Sequence, residues 1–308
     1  MSPLPLLALA TALLLGACAP GQPMDPCAVE RIAQVPLDMA EGLPRVTVAI
    51  NGRPATMLLD TGANAVILTP AAARRLGVEE QSQEMLAATA VGGATYGRAV
   101  NLATLSFAGI EINDQRAAEM ALPMDRFGGE LLDGILGTPV LNRFDLELDS
   151  EAASLTLYRA RACPGGAIPW PRPYSMLPML SRARIAHITV PVRINGMPAA
   201  GLIDTGATHT MVDLALARRL GVPEAALAPA ASQETQGLGP ATGRYWRHRF
   251  ARIELGGRAY TNVELAITDL GNEAEMLVGQ DFLFGRRIWL SRESDTVYIS
   301  DPREGRPK

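Results

Sequence analysis

The triplet Asp-Thr-Gly occurs twice in this chain, at 60–62 and at 204–206, and a pair of carboxyl groups is its clearest capacity for chemistry. Two carboxylates brought about 3 Å apart cannot both ionise cheaply, so they share one proton and titrate as a unit. A water lying between them gives a proton to the ionised partner while the protonated partner polarises a carbonyl. That chemistry needs neither a metal nor a cofactor. Asp60 and Asp204 are therefore the candidate catalytic residues. Thr61, Gly62, Thr205 and Gly206 are candidate supports, the glycines by allowing close backbone approach and the threonines by hydrogen-bonding across an interface.

The elements that must position these residues are written into a duplication. A shift of 144 positions lays residues 46–78 over 190–222 with 19 of 33 positions identical, and each triplet falls at the same place in its copy. Val46, Val48, Ile50 and Val190, Val192, Ile194 alternate with the two-residue period of a half-buried strand. Asn51-Gly52 and Asn195-Gly196 are hairpin signals, and second strands at 55–59 and 199–203 run directly into the aspartates. Thr69 followed by Pro70, and Asp213, read as N-caps of short helices that end at Gly77 and Gly221. Glycine-punctuated β segments follow at 91–93 and 237–239, then alternating stretches at 102–112 and 250–265. Each copy closes on Ile135-Leu136-Gly137 or Leu277-Val278-Gly279, and short strands are expected at 144–148, 154–158, 288–291 and 296–300. The reading is an all-β molecule with a short helix in each half, its lobes at 41–160 and 184–302. Residues 18–40 form a tether, 161–183 a linker and 303–308 a tail. Prolines at 164, 169, 171, 173 and 178 exclude helix or central strand from that linker. Trp170 and Tyr174 suit a strap tied to a lobe, with a loose spacer as the other reading.

The paired triplets, each answered about 75 residues later by the hydrophobic-hydrophobic-glycine element, resemble the aspartic peptidases. Asp-Thr-Gly-Ala at 60–63 and 204–207 is more similar to retropepsins than to pepsins, although two lobes in one chain is the pepsin arrangement. The resemblance implies two homologous β-barrel lobes related by a pseudo-twofold axis, an active site between them, a peptide or protein substrate, and activity as a single chain. It also implies a hairpin flap over the substrate, for which Gly92, Gly93 and Tyr96, with Gly239 in the second copy, are the candidate contacts. Asn64 against Thr208 and Ala65 against His209 imply that the lobes are not functionally equivalent. Ala63 and Ala207 lack a hydroxyl that would favour ionised carboxylates, so activity is expected to extend to mildly acidic or near-neutral pH. Two other readings compete: a peptide-binding envelope lipoprotein that uses the same cleft without cutting, and an active site assembled between two chains.

The remaining residues set limits. With 28 basic and 32 acidic residues and a net charge of -4, nucleic acid is not an expected partner. His187, His209 and His248 are scattered without metal-ligand spacing and read as satisfied or surface histidines. The run 244–249 reads as a strand with one basic face, or as a bias towards acidic peptides. Residues 4–15 are apolar but shorter than the roughly 20 residues that span a bilayer. Leu15-Gly16-Ala17-Cys18 resembles the lipobox of bacterial lipoproteins, which implies a signal peptide at 1–17, lipidation of Cys18, and a membrane-anchored protein facing the periplasm. No basic residue precedes the apolar stretch, which leaves a secreted form with a plain cleaved signal, or an uncleaved anchor, as the other readings. An oxidising compartment would permit a disulfide between Cys27 and Cys163, and two separate thiols are equally compatible with the sequence.

Overall fold

The computed structural model describes residues 29–39, 42–78, 80–90, 93–122, 126–127, 130–159, 170, 173–180, 187–228, 232–236, 242–271 and 274–302. The expected lipidation site Cys18, the cysteines 27 and 163, and the flap glycines 92 and 239 lie outside these residues.

Among the described residues, each half begins with the hairpin that its sequence dictates. Arg45–Ile50 pairs antiparallel with Arg53–Leu59, and Thr189–Ile194 with Met197–Ile203. The turns place Asn51 and Gly52 at φ 49° and 74°, and Asn195 and Gly196 at 50° and 82°. Two consecutive positive φ values match the twist of the flanking strands, which is why Asn-Gly occupies both turns. Each asparagine also ties its turn to a neighbouring strand, since Asn51 Oδ1 accepts from Thr104 N and Asn195 Oδ1 from Arg252 N.

The first sheet runs Arg45–Ile50, Arg53–Leu59, Gly134–Leu136, Ile67–Leu68, Ile110–Glu119, Gly93–Phe107 and Glu80–Ala90. Its first strand also pairs with Gly93–Phe107, which closes six of the strands into a barrel. The second sheet repeats this order with Thr189–Ile194, Met197–Ile203, Met276–Val278, Met211–Asp213, Arg258–Thr268, Thr242–Leu255 and Gln233–Gln236, and closes in the same way. The fold is thus all-β, with two closed six-stranded barrels and a few short helices. The expected caps are present: Thr69 Oγ1 accepts from Ala72 N at the start of Pro70–Arg75, and Asp213 Oδ1 from Ala215 and Leu216 N at the start of Leu214–Arg219.

A third sheet lies beneath both barrels. Its order is Glu30–Pro36, Ser154–Arg159, Asp145–Asp149, Arg287–Ser291, Thr296–Ser300 and Tyr174–Pro178, so the two halves meet at its centre, where Leu146 pairs with Leu290 and Leu148 with Ile288. Its buried leucines and isoleucines join the interiors of both barrels in one continuous core. Full burial of each such side chain is worth roughly 1.5–3 kcal/mol. The proline-rich stretch contributes Tyr174–Pro178 as an edge strand, the sheet position that tolerates proline. Trp170 is buried against Trp289 and lies under the Arg287 guanidinium, 4.7 Å from ring to cation. The strap reading therefore holds at these residues.

Candidate active site

Each barrel delivers its aspartate by the same device. Gly134–Leu136 runs parallel to Arg53–Leu59, and Met276–Val278 parallel to Met197–Ile203. This places the Leu136 carbonyl to accept from Asp60 N and the Val278 carbonyl to accept from Asp204 N, both at 3.1 Å. The glycines of the closing element are needed for space. A Cβ on Gly134 would stand 1.9 Å from the Ile67 carbonyl oxygen, and one on Gly137 2.2 Å from that of Ala65.

The two triplets meet face to face. Thr61 N donates to Thr205 Oγ1 at 3.0 Å and Thr205 N to Thr61 Oγ1 at 3.1 Å. Each hydroxyl passes its own proton across the interface, Thr61 Oγ1 to the Ile203 carbonyl and Thr205 Oγ1 to the Leu59 carbonyl, both at 2.6 Å. Both threonines are 1% exposed, so these four bonds are made away from water, where breaking one leaves an unpaired group. Gly62 N donates to Asp60 Oδ1 at 2.8 Å and Gly206 N to Asp204 Oδ1 at 2.9 Å. The glycines are also where the lobes touch: a Cβ on Gly62 would stand 2.5 Å from Asp204 Cγ, and one on Gly206 2.4 Å from Asp60 Cγ.

Each carboxyl lies against the opposite glycine turn, and burial raises both above the ordinary carboxylate value. Burial pushes Asp60 well above the ordinary carboxylate value, and the neighbouring charge of Asp204 raises it further. Burial also raises Asp204, but the Gly206 amide, the Asp60 carboxyl, the Ala207 amide and the charge of His187 pull it back. Asp60 is buried, whereas Asp204 is partly open to solvent.

A family model for aspartyl proteases matches residues 46–140 and again residues 190–282, more than half of the chain. This chain belongs to the aspartyl protease family. A search of curated proteins gave no significant match. The two matched segments of the protease begin at the first strand of each barrel and end in the short helix after each closing glycine.

Of the residues singled out from sequence, the structure of the protease brings Asp60, Thr61, Gly62, Asp204, Thr205 and Gly206 together. Gly93 opens the second strand of the hairpin expected as a flap, and Tyr96 stands on that strand opposite Ala87, 62% exposed. The strand over 242–255 buries Trp246 and Phe250 and exposes Arg247 and Arg249, which both pair with Glu264 at 3.4 and 3.2 Å. That pairing takes up much of the basic face on which a preference for acidic peptides would depend. Among the described residues no group of His, Cys, Asp and Glu is arranged to hold a metal ion, and no helix is long and apolar enough to cross a membrane.

Sequence reasoning missed two contributors. Gln280, buried after the second closing glycine, donates from Nε2 to the Thr205 carbonyl at 2.9 Å. His187 has Nε2 shielded from solvent and lies just before Thr189–Ile194, the strand paired with the one that leads into Asp204. The 144-residue offset, extended three positions before the aligned block, would have set it over Leu43 and marked an ionisable residue where the other copy is apolar.

Proposed function

We propose that the protease is an endopeptidase in which Asp60 and Asp204 together activate a water. The observation that carries this reading is the reciprocal threonine lattice, which holds the two Asp-Thr-Gly turns face to face with each carboxyl against the opposite glycine. Asp204, the more easily ionised, takes the proton of the water. Asp60, which holds the shared proton, hydrogen-bonds the substrate carbonyl and so favours the developing oxyanion. The roles reverse as the leaving amine collects its proton. Because Asp60 is raised well above the ordinary carboxylate value, the singly protonated pair persists as pH rises, which supports activity into mildly acidic and near-neutral conditions.

Exposed Met85 and Tyr96 on the flap hairpin support a preference for apolar segments of peptide. The apolar stretch 4–15 and the lipobox-like ending at Cys18 support a location in the cell envelope, with exported or envelope proteins as substrates. Incubation of the purified chain with a peptide library tests the catalytic reading: the wild type cleaves, while Asp60→Asn and Asp204→Asn do not. Cleavage at a rate comparable with the wild type in either variant refutes the shared-proton mechanism. Saturable binding without cleavage in the wild type would instead make the cleft a binding site.

A further inference from the structure

Beside the dyad, the duplication replaces an apolar side chain with an ionisable one. The 144-residue offset that superposes the two triplets sets His187 over Leu43. In the first lobe Leu43 is 0% exposed and packs with Leu58, Ala63 and Ile135. The backbone around the two residues is the same: the Pro44 carbonyl accepts from Leu59 N and the Ile188 carbonyl from Ile203 N, both at 2.9 Å. These bonds extend the two ladders by one step, and the same register carried one residue further sets Leu43 against Asp60 and His187 against Asp204. Residues opposite one another share a face of the sheet and are neighbours. His187 Nε2 is shielded from solvent, so its charge acts through protein rather than water. The lobe-2 counterpart of the cluster around Leu43 is reduced to Leu202, Met211, Leu270 and Leu277, with Thr268 where the first lobe has Met120.

We infer that His187 is a positioning residue for the dyad: in its protonated form it holds the negative charge on Asp204 and leaves the shared proton on Asp60. The inference rests on the reading of the pair as the catalytic centre. It turns a duplicated pair into a directional one, with the base supplied by the second lobe and the acid by the first. The groups acting on Asp204 are the Gly206 and Ala207 amides, Asp60 and His187. Other carboxylates of the second lobe are held elsewhere. Asp213 accepts from Ala215, Leu216 and Leu270 N, Asp281 from Thr210, and Glu275 from Ala200 N and Arg219. Asp204 is thus the carboxylate that an imidazolium at 187 addresses, and the bias fades as the ring loses its proton, which for an unperturbed histidine occurs near pH ~6.5.

The test combines kinetics and titration. The profile of kcat/KM against pH is measured for the wild type, for His187→Leu, which installs the residue used in the first lobe, and for His187→Gln, which keeps a polar side chain without charge. Removing the cation disfavours ionised Asp204, so the acid-side limb moves to higher pH in both variants, with kcat/KM about threefold lower at the foot of that limb. The imidazole resonances are then titrated by NMR in the wild type, Asp60→Asn and Asp204→Asn, a readout that does not depend on cleavage. Coupling is mutual, so Asp204→Asn moves the His187 titration to lower pH and Asp60→Asn moves it less. Acid limbs that superpose on the wild type, or an imidazole indifferent to Asp204→Asn, overturn the inference. Absence of cleavage by the wild type overturns the reading of the dyad, and the NMR titration then decides the role of His187 alone.

Discussion

In the first lobe the chain behind the Asp-Thr-Gly triplet is packed away except at exposed Asn64. Ala63, Ala65, Val66 and Ile67 are all buried, and Thr138 Oγ1 donates to the Ala63 carbonyl at 3.1 Å. In the second lobe the matching chain is more open and polar, with His209 exposed where Ala65 is buried and buried Thr210 in place of Val66. Thr208 and His209 are exposed, and Thr210 is latched to Asp281, its amide donating at 2.8 Å and its hydroxyl at 2.5 Å. Both settings nevertheless present the same backbone, since Thr138 N and Gln280 N donate to the Ala63 and Ala207 carbonyls at 2.9 and 2.8 Å. The comparison teaches that the geometry of the dyad is set by strand pairing and by the threonine lattice. The side chains behind it are left to tune exposure and charge separately in each lobe.

The sharpest way to break this view is through the dyad. Asp60→Asn and Asp204→Asn should each lower kcat/KM by about a thousandfold, and a loss confined to one lobe would show that the pair does not act as a unit. Next come the glycines. Gly62→Ala and Gly206→Ala each push a methyl group into the opposite carboxyl, and a misplacement on the order of 1 Å costs about a hundredfold in rate. Thr61→Ala and Thr205→Ala should each cost about 1–3 kcal/mol in urea denaturation, because each leaves the opposing buried amide without its acceptor. Equal losses would confirm that the lattice belongs to both lobes.

A smaller effect separates the aspartates by pH. A raised carboxyl contributes stability that is complete below the ordinary carboxylate range and is lost as pH rises through the folded-state value. Asp60→Asn should therefore melt above the wild type at pH 7, and the gap should close on acidification towards pH ~4. A constant gap across that range would mean that Asp60 is not the group that keeps the proton. Asp281→Ala should have the smallest effect, about 1 kcal/mol in thermal melts, since water reaches the exposed Asp281 and can replace the lost acceptor.

Much of this architecture is legible in the sequence because the information is local. The Asn-Gly turns, the capping Thr69 and Asp213, and the two-residue periods need only neighbouring residues, and the duplication then doubles each signal. The third sheet was not legible as such. Four of its strands are expected individually, whereas Glu30–Pro36 lies in the stretch read as a tether and Tyr174–Pro178 in the linker, and nothing near Asp145–Asp149 says that its partner is Arg287–Ser291 rather than another short strand. The expected alternating stretches also conceal their turns, at Ala108-Gly109 with φ 53° and 79° and at Gly256-Gly257 with φ 63° and 73°. His187 is read from sequence as a satisfied or surface histidine for the same reason, since the sequence does not show what lies across the ladder from it.

The third sheet also bears on how the chain survives its own synthesis. Glu147 bonds Arg287 across a gap of 140 residues, so the edge formed by Asp145–Asp149 waits uncovered until the second half has emerged. An uncovered strand edge invites pairing with another copy. This one carries carboxylates at 145, 147 and 149, and two identical edges approaching each other would set like charges side by side. Its proper mate brings Arg287 to Glu147 and Asp149, and the Ser291 hydroxyl and Arg292 amide to Asp145. The acidic stripe thus finds partners within its own chain on both sides, Tyr158 and the 151–152 amides from its own half and Arg287, Ser291 and Arg292 from the other.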